Sequence, residues 1–153
     1  SYNFLENIKK ICKTKNTAEI RNAWCSMLLD LPDKRLQIIQ KLKKKYSIFL
    51  LSNTNDIHIN FFKKSLTKKK WNELNNLFNK IYFSHEIKIR KPSKKAFQLI
   101  LQENCLTPKE VLFIDDSIQH IKSAKELGIN CHHLKENEDI STLFFDKALL
   151  KHH

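Results

Sequence analysis

Hydrophobic positions along the chain follow two spacings. Phe4, Leu5, Ile8 and Ile11 recur at the three-to-four-residue interval of an amphipathic helix, and Ile20, Trp24, Met27 and Leu28 do so again, with Thr17 placed to cap the second helix. Beyond Leu29-Asp30-Leu31-Pro32, the positions Leu36, Ile38, Ile39 and Leu42 mark a third helix. From there on, short unbroken apolar runs separate helical stretches. The runs lie at 47–51, 80–83, 111–114 and 129–134, and helical spacing covers 56–65, 67–78, 93–104, 117–127 and about 139–150. Unbroken apolar runs of this length are the pattern of parallel strands buried on both faces. Strand and helix alternating in this way predict an α/β fold, a doubly wound Rossmann-like parallel sheet. Gly128 is the chain's only glycine and follows Ala124-Lys125-Glu126-Leu127 directly, which predicts a helix ending in a left-handed residue before the last strand.

Polar residues at the ends of these runs carry the candidate chemistry. Val111-Leu112-Phe113-Ile114 runs into Asp115-Asp116-Ser117. Adjacent carboxylates at a strand tip repel unless a cation lies between them, so the pair suggests a hard divalent metal such as Mg²⁺. Asp116 or Ser117 is equally placed to cap the following helix. Ser47-Ile48-Phe49-Leu50-Leu51 ends in Ser52-Asn53-Thr54-Asn55 ahead of a helix, a setting suited to anion binding or to a plain turn capped by Asn55 or Asp56. Between the two lies Ile89-Arg90-Lys91-Pro92-Ser93-Lys94. Proline disfavours helix at Lys91 and leaves it in an extended turn, while Ser93 is positioned to cap the next helix. A lysine held there neutralises phosphate or a carboxylate cluster, although solvation is the default in so lysine-rich a chain.

Composition narrows the partners. At 153 residues and 41% hydrophobic content, one globular domain with its own core is expected. No run approaches the roughly 20 apolar residues of a membrane span, and no secretory signal pattern is seen, so no membrane partner and a cytoplasmic setting are expected. Cys12, Cys25, Cys105 and Cys131 show no CxxC spacing and read as reduced structural thiols; His132 and His133 beside Cys131 alternate faces on a strand and do not converge. The net charge of +12 invites a nucleic-acid partner. Its densest clusters, Lys41 to Lys45 and Lys68 to Lys70, lie near helix ends, where lysine suits the C-terminal dipole or stays solvated. Trp71, Leu74, Leu77 and Phe78 share a helical face that reads as core, and no RNA- or DNA-binding motif accompanies them.

In order and element type, the stretch from about Leu36 to Leu134 resembles the haloacid dehalogenase superfamily, whose commonest members are Mg²⁺-dependent phosphatases. Leu50-Leu51-Ser52-Asn53 is similar to its second motif, Arg90-Lys91-Pro92 to its third and Phe113-Ile114-Asp115-Asp116-Ser117 to its fourth. The resemblance implies that Ser52, Asn53 and Lys91 bind the phosphoryl group of a small phosphorylated metabolite. It implies too that Lys91, Asp115 and Asp116 form the catalytic set, with Asp115 and Asp116 holding Mg²⁺. It further implies part of a helical cap at 1–31 and the α/β core at 32–153. Replacing Lys91 is then expected to weaken catalysis and leave the fold intact.

The chain departs from the family in two places. The family's first motif, a strand ending in Asp-x-Asp whose first acid becomes phosphorylated, is not in the sequence, and the nearest acids, Asp30, Asp33 and Asp56, stand in other contexts. The strand in question lies in the family between those of the second and fourth motifs, so both neighbours would be left with unpaired backbone groups. The expectation is a C-terminal part of a longer phosphatase that needs the missing N-terminal segment of the same protein and is inactive without it. The alternative is a pseudoenzyme that binds phosphate or acts as a scaffold. His120 stands where many relatives carry an acid or Asn, and is expected to cap, pack or face the cleft rim. Paired acids favour phosphoester hydrolysis over dehalogenation.

Overall fold

A computed structural model of the chain describes residues 33–140, which divide after Glu86 into two compact units. The cap helices expected at 1–31, and nearly all of the helix expected at 139–150, lie outside the described residues. So do Cys12 and Cys25.

In the first unit the order is α1 (Asp33–Lys43), β1 (Phe49–Ser52), α2 (Asp56–Ser65), α3 (Lys68–Asn76), β2 (Lys80–Phe83) and a short α4 (Ser84–Ile87). Asp33 in the first turn of α1, and Lys41 and Lys43 in its last, oppose the helix dipole, and Ile38 is buried. β1 and β2 pair in parallel from Phe49↔Lys80 to Ser52↔Phe83. Asn79 sets that register from the strand entrance: its N–H donates to the Ile48 carbonyl at 2.7 Å and its side-chain oxygen accepts from the Ile48 N–H at 2.9 Å. Leu74, Leu77, Tyr82 and Phe83 are buried, as the helical spacing and the apolar run predict. Trp71 packs edge-on against Phe62 at 6.2 Å, with the Lys63 ammonium 5.0 Å from its ring. Lys68 to Lys70 open α3 rather than close it, so the dipole disfavours them there. They remain exposed, and Glu73 and Asp33 supply counter-charges 4.0 Å from Lys69 and 3.6 Å from Lys70.

The second unit runs through α5 (Lys94–Glu103), a 3₁₀ turn (Pro108–Glu110), β3 (Leu112–Asp115), α6 (Ile118–Lys125) and β4 (Asn130–His133). β3 and β4 pair in parallel from Leu112↔Asn130 to Asp115↔His133, and α6 is the crossover packed on both. Ile121 and Ala124 of α6 and Ala96 and Phe97 of α5 are buried, and Phe97 meets Phe113 edge-on at 5.0 Å. Burying Ile121 to 1% exposure contributes about 2–3 kcal/mol. Gly128 has φ +81°, and its N–H bonds to the Lys125 carbonyl at 2.9 Å, closing α6 as expected.

Two features of the strands matter for the site. Both motif-bearing strands run one residue further than the apolar runs, so Ser52 and Asp115 are paired ladder positions. Among the described residues the parallel strands pair as β1-β2 and β3-β4. β1 and β3 are therefore each an edge in their own sheet.

Candidate active site

The second unit assembles its charged residues at the C-terminal end of β3. Lys91 and Pro92 form a turn, held where the Ser93 N–H donates to the Arg90 carbonyl at 3.0 Å and where the Ser123 hydroxyl of α6 donates to the Pro92 carbonyl. Ser93 occupies the N-cap position of α5, but its side chain makes no capping bond; its carbonyl instead accepts from the Ala96 N–H at 3.0 Å. Lys91 is not solvated. It is 8% exposed, its Nζ lies 2.6 Å from Asp115 Oδ2, and the Phe113 ring centre is 5.6 Å away. Burial is stable here because the ammonium meets a carboxylate and an aromatic face.

Asp115 is the hub of this cluster. Its Oδ1 accepts from the Ser117 N–H at 2.8 Å and lies 2.9 Å from His120 Nδ1, while Oδ2 takes Lys91. Burial raises the Asp115 carboxyl; the hydrogen bond from Lys91, the Ser117 N–H, the Lys91 charge and the His120 bond outweigh it, leaving the group below its ordinary value. Capping by Asp116 or Ser117 was one of the two readings of this strand tip. Instead Asp115 accepts from the start of the helix, and Ser117 sits at the N-cap without a side-chain bond. Asp116 is exposed, and its backbone carbonyl accepts from His133 Nε2 at 3.0 Å. The structure thus brings Lys91 and Asp115 together, with Asp116 next to them. Sequence reasoning missed the parts played by His120 and His133. The only signal for His133 was the β3–β4 register, which sets it opposite Asp115.

In the first unit Ser52 ends β1, and exposed Asn53 follows. The segment beyond is pinned twice by Ser84, whose hydroxyl accepts from the Thr54 N–H and donates to the Thr54 carbonyl, each at 3.0 Å. Asn55 caps α2, accepting from the His58 N–H at 3.0 Å, and His85 Nε2 lies 3.1 Å from Asp56 in the first turn. The expected cap at Asn55 is present, and it leaves Ser52 and Asn53 ahead of the helix N-terminus, a position suited to an anion.

Whether these residues suit a hard divalent cation turns on their donors. Mg²⁺ takes oxygen ligands, keeps several waters and needs only one or two carboxylates besides a substrate phosphate. Asp116 offers an exposed carboxylate and Asp115 an adjacent one whose oxygens already have partners, so the set fits, with Asp116 as the freer ligand. His132 pairs with Glu138 at 3.0 Å and His133 with the Asp116 carbonyl, so the two neighbouring histidines take separate partners, as strand alternation predicts.

Parallel strands with intervening helices, a Ser-Asn strand tip in one unit and, in the other, adjacent aspartates of which Asp115 pairs with Lys91, define an α/β protein with polar residues at its strand tips. Residues 3–133 match the haloacid dehalogenase-like hydrolase family, and the chain belongs to it. The chain is 29% identical over 126 residues to a D-ribitol-5-phosphate phosphatase of Bacteroides thetaiotaomicron, covering 82% of this chain and 61% of that protein. It therefore spans about three-fifths of that relative's length. Among solved structures, a HAD family enzyme of the same organism in a magnesium complex shares 37% identity at TM-score 0.84, covering 94% of this chain and 73% of the other. The wild-type form of that enzyme with magnesium and inorganic phosphate gives 38% and 0.83 over the same shares. A HAD-like family hydrolase of Porphyromonas gingivalis, 24% identical at TM-score 0.79 over 98% of this chain and 73% of that one, has the same fold.

Proposed function

We propose that this chain carries the phosphate- and metal-binding part of a Mg²⁺-dependent phosphatase that hydrolyses a small phosphorylated metabolite through an aspartyl-phosphate intermediate. The buried Lys91–Asp115 pair beside the exposed Asp116 carries this proposal, because a lysine sequestered with one of two adjacent acids has no evident use in packing alone. Ser52 and Asn53 take the oxygens of the transferring phosphoryl group. Lys91 supplies fixed positive charge to an anionic transition state, and Asp116, with Asp115 directly or through water, holds the metal. A bound Mg²⁺ supplies Lewis-acid charge that screens the approach of an anionic nucleophile to a phosphate. The nucleophile is an aspartate of an Asp-x-Asp strand outside this sequence, so the chain alone binds phosphate without turnover.

No helix of the described residues is long and apolar enough to cross a membrane. Free thiols at Cys105 and Cys131 accord with a reducing, cytoplasmic setting. Because the Bacteroides relative acts on D-ribitol 5-phosphate, polyol and sugar phosphates head the substrate panel. The test is phosphate release from that panel by the protein as its cell makes it, with Mg²⁺ and with the metal chelated. Mg²⁺-dependent release is the expected result. Saturable phosphate binding without turnover of any panel member would establish the pseudoenzyme instead.

A further inference from the structure

Asp115 has more donors than its pairing with Lys91 requires, and one of them is a side chain that the phosphatase reading leaves without a task. His120 lies in the first turn of α6, five residues beyond Asp115, with Nδ1 2.9 Å from Asp115 Oδ1 and its side chain 18% exposed. An ionised carboxylate only accepts, so Nδ1 carries the proton in this bond. The other donor to Oδ1, the Ser117 N–H, belongs to the same local turn as Asp115 and moves with it. Lys91 holds Oδ2 from the Lys91-Pro92 turn. His120 is thus the donor that ties Oδ1 to α6, adding an anchor outside the local turn to the restraint from the Ser117 N–H and Lys91. His133 secures the next residue: its Nε2 donates to the Asp116 carbonyl from β4, one strand away.

We propose that His120 is a positioning residue for the paired aspartates, holding Asp115 in one orientation so that Asp116 presents its carboxylate to the divalent cation, with His133 fixing the backbone at Asp116. The proposal rests on the phosphatase reading. At position 120 the geometry asks for a donor aimed at Oδ1; a carboxylate there would repel Asp115, whereas an imidazole bonds to it. Groups that orient metal-binding side chains typically change metal affinity by about 10–100-fold when removed.

Two measurements on the native protein test this. Two-bond ¹H–¹⁵N spectra of the histidine rings should place a proton on Nδ1 of His120, assigned by its loss in His120→Leu; an unprotonated Nδ1 overturns the proposal without reference to any metal. Divalent-ion affinity, read by electron paramagnetic resonance of free Mn²⁺, should then weaken about 10–100-fold in His120→Leu. It should recover to within about threefold in His120→Asn, whose amide restores a donor near Nδ1. Equal affinity in parent and His120→Leu, or no rescue by Asn in a variant that unfolds at the parent's urea midpoint, overturns the proposal and leaves the phosphatase reading standing. A parent protein that binds no Mn²⁺ or Mg²⁺ overturns the metal reading, and the positioning role falls with it.

Discussion

Lys91→Met tests the buried pair directly. Lys91 Nζ and Asp115 Oδ2 are 2.6 Å apart, with the two side chains 10% and 7% exposed, so the variant leaves a carboxylate that water reaches poorly. Breaking a buried pair by removing one partner costs about 3–5 kcal/mol. The Ser117 N–H and His120 remain on Oδ1, which puts the expected loss near the lower end, about 3 kcal/mol. Methionine keeps the length of the side chain and packs well against Phe113, so a cavity adds little. The burial of Lys91 therefore revises the expectation that it can be replaced without harm to the fold. In urea unfolding followed by far-ultraviolet circular dichroism, a slope of about 1–3 kcal/mol/M converts this loss to a midpoint shift of about 1–3 M. The double variant Lys91→Met/Asp115→Asn should recover part of it, because an amide in that site carries no charge to strand.

The same pair sets a pH dependence. Burial raises the Asp115 carboxyl, yet Lys91, the Ser117 N–H and His120 hold it below its ordinary value, so the unfolded chain binds the proton more readily than the folded one. Its contribution is complete above the unfolded value of about 3.9 and is lost as pH falls through the lower folded value. The gap between parent and Lys91→Met should accordingly narrow below about pH 4. Midpoints that coincide at pH 7 would mean that the lysine is solvated after all, and a gap unchanged in acid would mean that Asp115 is not its partner.

Asp116→Asn should abolish Mg²⁺-dependent turnover in the native protein with the urea midpoint unmoved, since the carboxylate is exposed; undiminished turnover removes Asp116 from the metal site. Lys88 is exposed and holds φ +58°, a left-handed conformation that costs an L-residue about 1–2 kcal/mol. After the entropy glycine adds to the unfolded chain, Lys88→Gly should still stabilise by roughly 0.5–1 kcal/mol, and a lowered midpoint would contradict the strain. Asn55→Ala removes the cap on the His58 N–H and should cost about 1 kcal/mol, read as a lower midpoint; an unchanged one would show α2 starting without that bond.

By itself the sequence determined the α/β class, the order of the main strands and helices and which polar residues stand at strand tips, because the 3.6-residue period, short unbroken apolar runs and a lone glycine act over a few neighbours. Asn55 as a cap, Gly128 as a helix stop and Leu74 and Leu77 as core were legible for the same reason. What lies between distant residues was not. Lys91 was marked by the Lys-Pro turn and the family resemblance, but its burial and its partner were not, because the acid it meets lies 24 residues away on β3. The position of His120 was marked by the family's fourth motif but its partner was not, and nothing in the sequence marked the partner of His133, since one depends on the face α6 turns toward Asp115 and the other on the β3–β4 register. Only the tertiary structure decided these partnerships, because the burial that makes the charges pair, and the register that brings the imidazoles within reach, exist only once the strands and helices have packed.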